Sequence, residues 1–233
     1  MELDERAAGW LGELEGEPYQ FNLFKLVIEE INNKQLASPT MLELGAGIGQ
    51  FSKYYNENVL NGRNICLEIQ PTNCNIIRKL IPDATIYEGY VGQRIHMRET
   101  IHADMVDKKI FIKDIFEENN IDNLDLLHID IQGGEVAVLQ ELVQSNLLSK
   151  IDYMFISTHR IKRSQVEPNW RVLHDNKGMT KEGFELFEKC QGDTYIPVVG
   201  ILHNQPVNYE WLFQTHLVDK ASGDGLVVVK RIK

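Results

Sequence analysis

"LELGAGIGQF", residues 42–51, sets three glycines at every second position, Gly45, Gly47 and Gly49, between an apolar run and a helix-like stretch. A strand that ends in such a turn and passes into a helix is how α/β sheets present a cofactor-binding loop. The sequence on either side extends this arrangement. "TMLEL" reads as a first strand and "GQFSKYYNENV" as its helix; "NICLEI" reads as a second strand and "TNCNIIRKLI" as the next helix. "ATIYEG" is a third strand, with a helical stretch near residues 93–106, and "KIFIKDIFEENNI" holds a short strand and a helical turn. "LDLLHIDI" is a fourth strand, "GEVAVLQELVQSNLLS" a helix and "IDYMFIST" a fifth strand. Strand–helix alternation of this kind predicts an α/β fold with a mainly parallel, doubly wound sheet. Near the end, "EWLFQTHLVDK" and "LVVVKRI" flank the turn Ser222-Gly223-Asp224-Gly225, which predicts a C-terminal antiparallel hairpin.

Upstream of the turn, "YQFNLFKLVIEEINNKQ" (residues 19–35) spaces Phe21, Phe24, Leu26, Val27 and Ile31 as an amphipathic helix does. Residues 1–38 therefore read as an N-terminal helical arm or cap, and residues 39–233 as the cofactor-binding domain. After the fifth strand the rhythm breaks. Residues 160–195 are polar, contain Pro168, Trp170 and a helical pattern at "TKEGFELFEKCQ", and read as a substrate-binding insertion or lid.

Composition narrows the class. The chain has 233 residues, 43% of them hydrophobic and 25% charged, as a soluble globular domain has. A formal net charge of −10 argues against a nucleic acid or an anionic membrane as partner. The N-terminus "MELDERAAGWLGELEG" lacks the basic region and apolar core of a signal peptide, and no run approaches the about 20 apolar residues that span a bilayer. The expected location is the cytoplasm. Cys66, Cys74 and Cys190 show no CxxC spacing and read as small buried thiols. The apolar N-terminal segment is a candidate homodimer surface.

Which cofactor the turn suits follows from its spacing and charge. A dinucleotide-binding turn reads GxGxxG; here the third glycine comes one position early and Gln50 stands in its place. Glu43 precedes the first glycine by two residues, and no GK[ST] lysine is present to hold phosphates. An acidic turn repels a pyrophosphate and attracts a cationic group. Glu68, at the end of the second strand and 19 residues beyond Gly49, stands where an acid accepts hydrogen bonds from both ribose hydroxyls of a nucleoside. An ammonium, a sulfonium and a ribose occur together in S-adenosyl-L-methionine. The expected cofactor-binding set is Glu43, Gly45, Ala46, Gly47, Gly49, Glu68, Ile69, Tyr90 and Asp130.

Residues 41–70 resemble motif I and the following acidic strand of class I S-adenosylmethionine-dependent methyltransferases. "LDLLHIDIQGGEVAVLQEL", residues 124–142, resembles the signature of the FkbM family, in which an apolar strand ends in Lys-x-Asp and continues through an apolar residue and Glu-Gly-x-Glu into a helix. Asp130, Gly133 and Glu135 match; His128 stands in place of the lysine and Gln132 in place of the first glutamate. "KIFIKDIFEEN" is similar to the segment that precedes this strand in the family, and the resemblance covers roughly residues 40–160. It implies a Rossmann-like class I fold and a methyltransferase of small-molecule natural products, sugars or modified peptides, with oxygen or nitrogen as acceptor.

Methyl transfer from a sulfonium needs the nucleophile held in line, and for a hydroxyl or amide it also needs proton removal. Asp130, ending the fourth strand, and His159, ending the fifth, are the candidate catalytic residues, with His159 as base. Asp130 can also cap the following helix, and His128 reads as a core histidine. Asp130, Glu135 and His159 together are the candidate set for a divalent cation, and no metal is expected to be required. Arg160, Lys162 and Arg163 are a solvated loop or a contact for an acidic acceptor group. The rival readings are a nicotinamide-dependent oxidoreductase and a non-catalytic S-adenosylmethionine-binding protein.

Overall fold

Strands that have helices on both faces are buried along their whole length and read as continuous apolar runs. In the computed structural model this holds for β1 (Thr40–Leu44), β4 (Leu124–Ile129) and β5 (Ile151–Thr158), each buried at every residue. The structure describes residues 18–92, 106, 108–159, 194–215 and 225–232. With β2 (Arg63–Glu68), β3 (Thr85–Glu88), β6 (Tyr209–Thr215) and β7 (Gly225–Arg231) they form one seven-stranded sheet in the order β3-β2-β1-β4-β5-β7-β6. The pairs from β3 through β5 are parallel, and β7 runs antiparallel to both β5 and β6. The order reverses between β1 and β4, which places the ligand crevice at their carboxyl ends.

Side-chain alternation divides the sheet into two cores. One face carries Met41, Leu126, Tyr153, Phe155 and Val228 and is covered by Phe24, Val27, Ile28 and Ile31 of α1 (Pro18–Asn33) and Tyr55 of α2 (Gln50–Asn58). The helix expected over residues 19–35 is thus part of the layer that closes the sheet. Between β2 and β3 runs α3 (Pro71–Leu80). The opposite face carries Leu42, Leu44, Leu127, Ile129, Met154 and Val229 under α4 (Ile112–Glu118), α5 (Glu135–Gln144) and α6 (Tyr195–His203).

"TMLEL" and "IDYMFIST" coincide with β1 and β5, and the C-terminal hairpin is present. The expected short strand before α4 reduces to an isolated bridge between Tyr90 and Lys109. The long helix expected after β4 ends at Gln144 and is followed by a 3-10 turn, Leu148–Lys150. Helix α6 has no counterpart in the expectations. "YIPVVGILH" is apolar on all sides, so it lacks the 3.6-residue pattern that marks a surface helix, and Pro197 falls in its first turn, where the missing N–H costs nothing. Most of the stretch near residues 93–106, the helical pattern at "TKEGFELFEKCQ", Trp170 and Cys190 lie outside the described residues. Cys66 and Cys74 are free and buried. Among the described residues no helix is long and apolar enough to cross a membrane.

Candidate active site

The glycine turn is fixed from below. Gly45 N–H and Ala46 N–H both donate to the Leu67 carbonyl, at 2.9 and 3.0 Å, which ties the turn to the end of β2. Gly45 has φ +82°, and a Cβ there would stand 1.9 Å from the Asp130 carbonyl oxygen. Asp130 N–H in turn donates to the Leu44 carbonyl at 2.9 Å. Only glycine lets the ends of β1 and β4 come this close, and the contact sets Asp130 directly beside the turn. Gly47 differs: its φ is +54°, and a Cβ would meet nothing within 4 Å. The turn is therefore left-handed and open at its centre. Gly49, the N-cap of α2, closes it.

Glu68 lies against this open turn. Its Oε2 accepts from Gly47 N–H and its Oε1 from Gln70 N–H, both at 2.8 Å. Burial pushes its carboxyl up, and those backbone bonds pull it only part of the way back. Ile69 follows, its carbonyl accepting from Val106 N–H at 3.0 Å. Tyr90 is half-buried, its N–H bonded to the Lys108 carbonyl and its carbonyl to Ile110 N–H.

The structure places Glu43 differently from the expectation. It shares the α1-facing side of β1 with Met41, and its side chain lies beneath the turn, 1% exposed. Ser52 Oγ–H donates to its Oε2, and His128 Nδ1 lies 3.0 Å from its Oε1. Ser52 Oγ also lies 3.2 Å from Asn64 Oδ1, and Asn64 donates back to the Ser52 carbonyl at 2.8 Å. A carboxylate enclosed in this way supports the turn from inside, with both oxygens already facing protein groups. His128 is a core histidine, its ring 4.4 Å from Phe51, 5.4 Å from Phe155 and 5.8 Å from Phe24.

At the carboxyl ends of β4 and β5 the structure brings together Asp130, Gln132, Glu135 and His159. His159 Nδ1 lies 2.8 Å from Glu135 Oε1; His159 Nε2 lies 3.2 Å from Asp130 Oδ1 and 2.9 Å from the Gln132 amide. Glu135 is fully buried and His159 nearly so, while the Asp130 side chain is one-third exposed. Burial lowers the proton affinity of His159, but the charge of Glu135 and the hydrogen bond of Asp130 outweigh it and raise the ring well above its ordinary value. For Asp130 burial pushes the carboxyl up, and the hydrogen bond and charge of His159 more than offset that, leaving it below the ordinary aspartate value. Both carboxylates thus favour the charged form of the ring that lies between them. The Gln132 amide, which can present either its nitrogen or its oxygen, lies against both groups, 2.9 Å from His159 Nε2 and 3.2 Å from Asp130 Oδ1. The expected base role of His159 needs the neutral ring, which the two carboxylates disfavour.

The same geometry bears on the cation set. Asp130, His159 and Glu135 lie in a row, each ring nitrogen facing a different carboxylate, and do not converge on one point. Among the described residues no group of three such side chains has the geometry to hold a metal. Asp130 does not cap α5: the N-cap is Gly134, with no side-chain cap bond. Sequence reasoning missed Thr194, which is buried just before α6. His159 N–H donates to its Oγ1 at 2.8 Å, and Thr194 N–H donates to the His159 carbonyl at 3.0 Å. The chain thus leaves β5 and returns at one point beside the site. A partner 35 positions away leaves no sequence signal. Arg160, Lys162 and Arg163 lie outside the described residues.

The description "Methyltransferase FkbM domain" fits residues 6–186, which include every residue of this site except Thr194. The chain belongs to the FkbM methyltransferase family. As an FkbM protein it is an S-adenosylmethionine-dependent methyltransferase. Two solved structures share its Rossmann-like fold. One is a Klebsiella pneumoniae protein provisionally described as an O-methyltransferase: TM-score 0.52 and 11% identity over 91% of this chain and 80% of that one. The other is the O-methyltransferase of Bacillus cereus, solved with S-adenosylhomocysteine: TM-score 0.51 and 14% identity over 100% and 93% of the two chains. No curated protein gives a significant match.

Proposed function

We propose that this FkbM methyltransferase moves a methyl group to an oxygen or nitrogen of a small-molecule natural product, a sugar or a modified peptide, with the cofactor seated on the turn Gly45–Gly49. The observation that carries the seat is Gly47: a left-handed residue with open space where a Cβ would stand and the Glu68 carboxylate 2.8 Å from its N–H. That is room for a ligand to approach backbone closely, next to an acid that suits ribose hydroxyls. Glu68, Ile69 and Tyr90 would border the nucleoside. Asp130, one-third exposed and fixed to the turn through Gly45, would face the cationic end of the cofactor or the N–H or O–H of the acceptor.

The bound cofactor supplies an electrophilic methyl on a sulfonium, with a neutral thioether as leaving group. The chain's own contribution is position: an in-line approach held within the crevice, with the ionised Asp130 orienting a donor group and taking up the proton that an O–H or amide N–H loses as the methyl arrives. The row of Asp130, His159 and Glu135 supports a reaction with no divalent cation, because both ring nitrogens already face carboxylates.

The test is calorimetric binding of S-adenosylhomocysteine to the wild type and to Glu68→Ala, with and without EDTA. A charge-assisted hydrogen bond is worth about 1.5–3 kcal/mol, so the variant should bind roughly 10- to 150-fold more weakly. EDTA should change neither affinity. Equal affinity of the two proteins would remove Glu68 from the site.

A further inference from the structure

Glu135 is a fully buried carboxylate in the first turn of α5. An acid there serves the helix dipole equally well from the surface, where it stays hydrated, so the inward position needs another reason. Its Oε1 accepts from Gly133 N–H at 2.9 Å and faces His159 Nδ1 at 2.8 Å; its Oε2 has no hydrogen-bond partner among the described residues. The bond to Gly133 does not require charge, since the carbonyl of a glutamine would accept it as well. The bond to His159 does use it.

From His159 the row continues outward. Its other nitrogen reaches Asp130 at 3.2 Å, and its backbone is clamped by Thr194 on both sides of the peptide. Gln132 is held at φ +53°, a left-handed conformation that a non-glycine residue adopts at a cost, and this sets its amide against both Asp130 and His159. Strain of this kind persists where the surroundings impose it, and here it completes a polar row from the interior to the crevice.

We propose that Glu135 is a positioning residue for Asp130, acting through His159: it fixes the rotation of the imidazole and keeps a proton on each nitrogen, so that Nε2–H meets the Asp130 carboxylate at the crevice. The charged or titratable groups that face the ring among the described residues are Asp130 and Glu135, with Gln132 and Thr194 as neutral contacts; His128 acts on Asp130 through its charge. The row exists without any ligand. Only its service to a bound cofactor or acceptor rests on the function proposed above.

The experiment is a side-chain NMR titration of His159 in the full chain, comparing the wild type with Glu135→Gln, together with S-adenosylhomocysteine affinity on either side of neutral pH. In the wild type the ring should keep both protons through neutral pH. In Glu135→Gln, which retains the Gly133 bond, its proton affinity should fall by about tenfold or more, the scale of losing one close opposite charge. The affinity of the variant for S-adenosylhomocysteine should then weaken as pH rises through the new midpoint, while the wild type changes little. A purely structural Glu135 would also shift the titration, its charge being 2.8 Å from Nδ1, but it would lower affinity equally at every pH, and a loss of affinity with no pH dependence overturns the proposal. If Glu135→Gln does not fold, the wild-type titration decides alone: an ordinary midpoint near 6.5 overturns the proposal, and a raised one supports it. Failure of the wild type to bind S-adenosylhomocysteine would count against the cofactor seat, and the titration would still show whether Glu135 holds the proton on His159.

Discussion

The two glycines at either side of Ala46 should fail in different ways when given a methyl group. At Gly47 an added Cβ meets nothing within 4 Å, so Gly47→Ala adds no clash and leaves only the strain of φ +54°. That strain is about 1–2 kcal/mol, or roughly 2–8 °C in unfolding midpoint for a chain of this size. At Gly45 the Cβ would lie 1.9 Å from the Asp130 carbonyl oxygen, a backbone atom that cannot move aside without parting β1 from β4. Gly45→Ala should therefore lose far more stability, beyond about 4 kcal/mol, the range reserved for severe core defects. Binding should show the reverse contrast to stability at Gly47. A methyl standing in the cofactor's seat should weaken S-adenosylhomocysteine at least about tenfold, which is about 1.4 kcal/mol, in a protein that remains folded. Thermal unfolding and calorimetry on the two variants separate the effects. A Gly47→Ala protein with wild-type affinity would refute the seat, and a Gly45→Ala protein as stable as Gly47→Ala would refute the described packing of Asp130 on the turn.

Ser52→Ala removes the hydroxyl donor from the buried Glu43 and should cost about 1–3 kcal/mol in urea unfolding; no loss would mean that Glu43 is hydrated instead of enclosed. Phe24→Ala empties a fully buried ring site between Phe51, Phe155 and His128 and should cost about 3–5 kcal/mol by the same measure, which tests α1 as part of the core. The raised proton affinity of His159 stabilises the folded state below the unfolded histidine value, and that contribution is lost as pH rises through the folded value. The lowered Asp130 value works the other way: its contribution is present above the unfolded aspartate value and is lost as pH falls through the folded one. The unfolding midpoint of His159→Gln should therefore lie furthest below that of the wild type between about pH 4 and 6.5, with the gap narrowing in alkali; a gap that widens in alkali would contradict the imidazolium.

How far the sequence could be read depended on what each residue's neighbours were. The strands "TMLEL" and "IDYMFIST" were legible because a parallel strand under two helical layers must be apolar throughout, and the glycine spacing marked the turn between β1 and α2. Helix α6 was not, since an apolar segment with no polar face carries no helical period. Glu43 looked like a crevice residue because it stands two residues before the first glycine and makes the turn acidic, yet the two-residue period puts it on the side of Met41. His159 and Glu135 were legible as polar residues near one another. Their pairing through opposite ring nitrogens was not, because it depends on the rotation of one side chain and on the Thr194 clamp.

The most direct test of the central claim is thermal unfolding of the full chain with S-adenosylhomocysteine and, separately, with NAD. At 100 times its dissociation constant a ligand adds about 2.7 kcal/mol, so S-adenosylhomocysteine should raise the midpoint by roughly 5–11 °C. NAD should leave it unchanged. A shift with NAD and none with S-adenosylhomocysteine would contradict the reading of the turn at Gly45–Gly49 and the methyl-transfer account built on it.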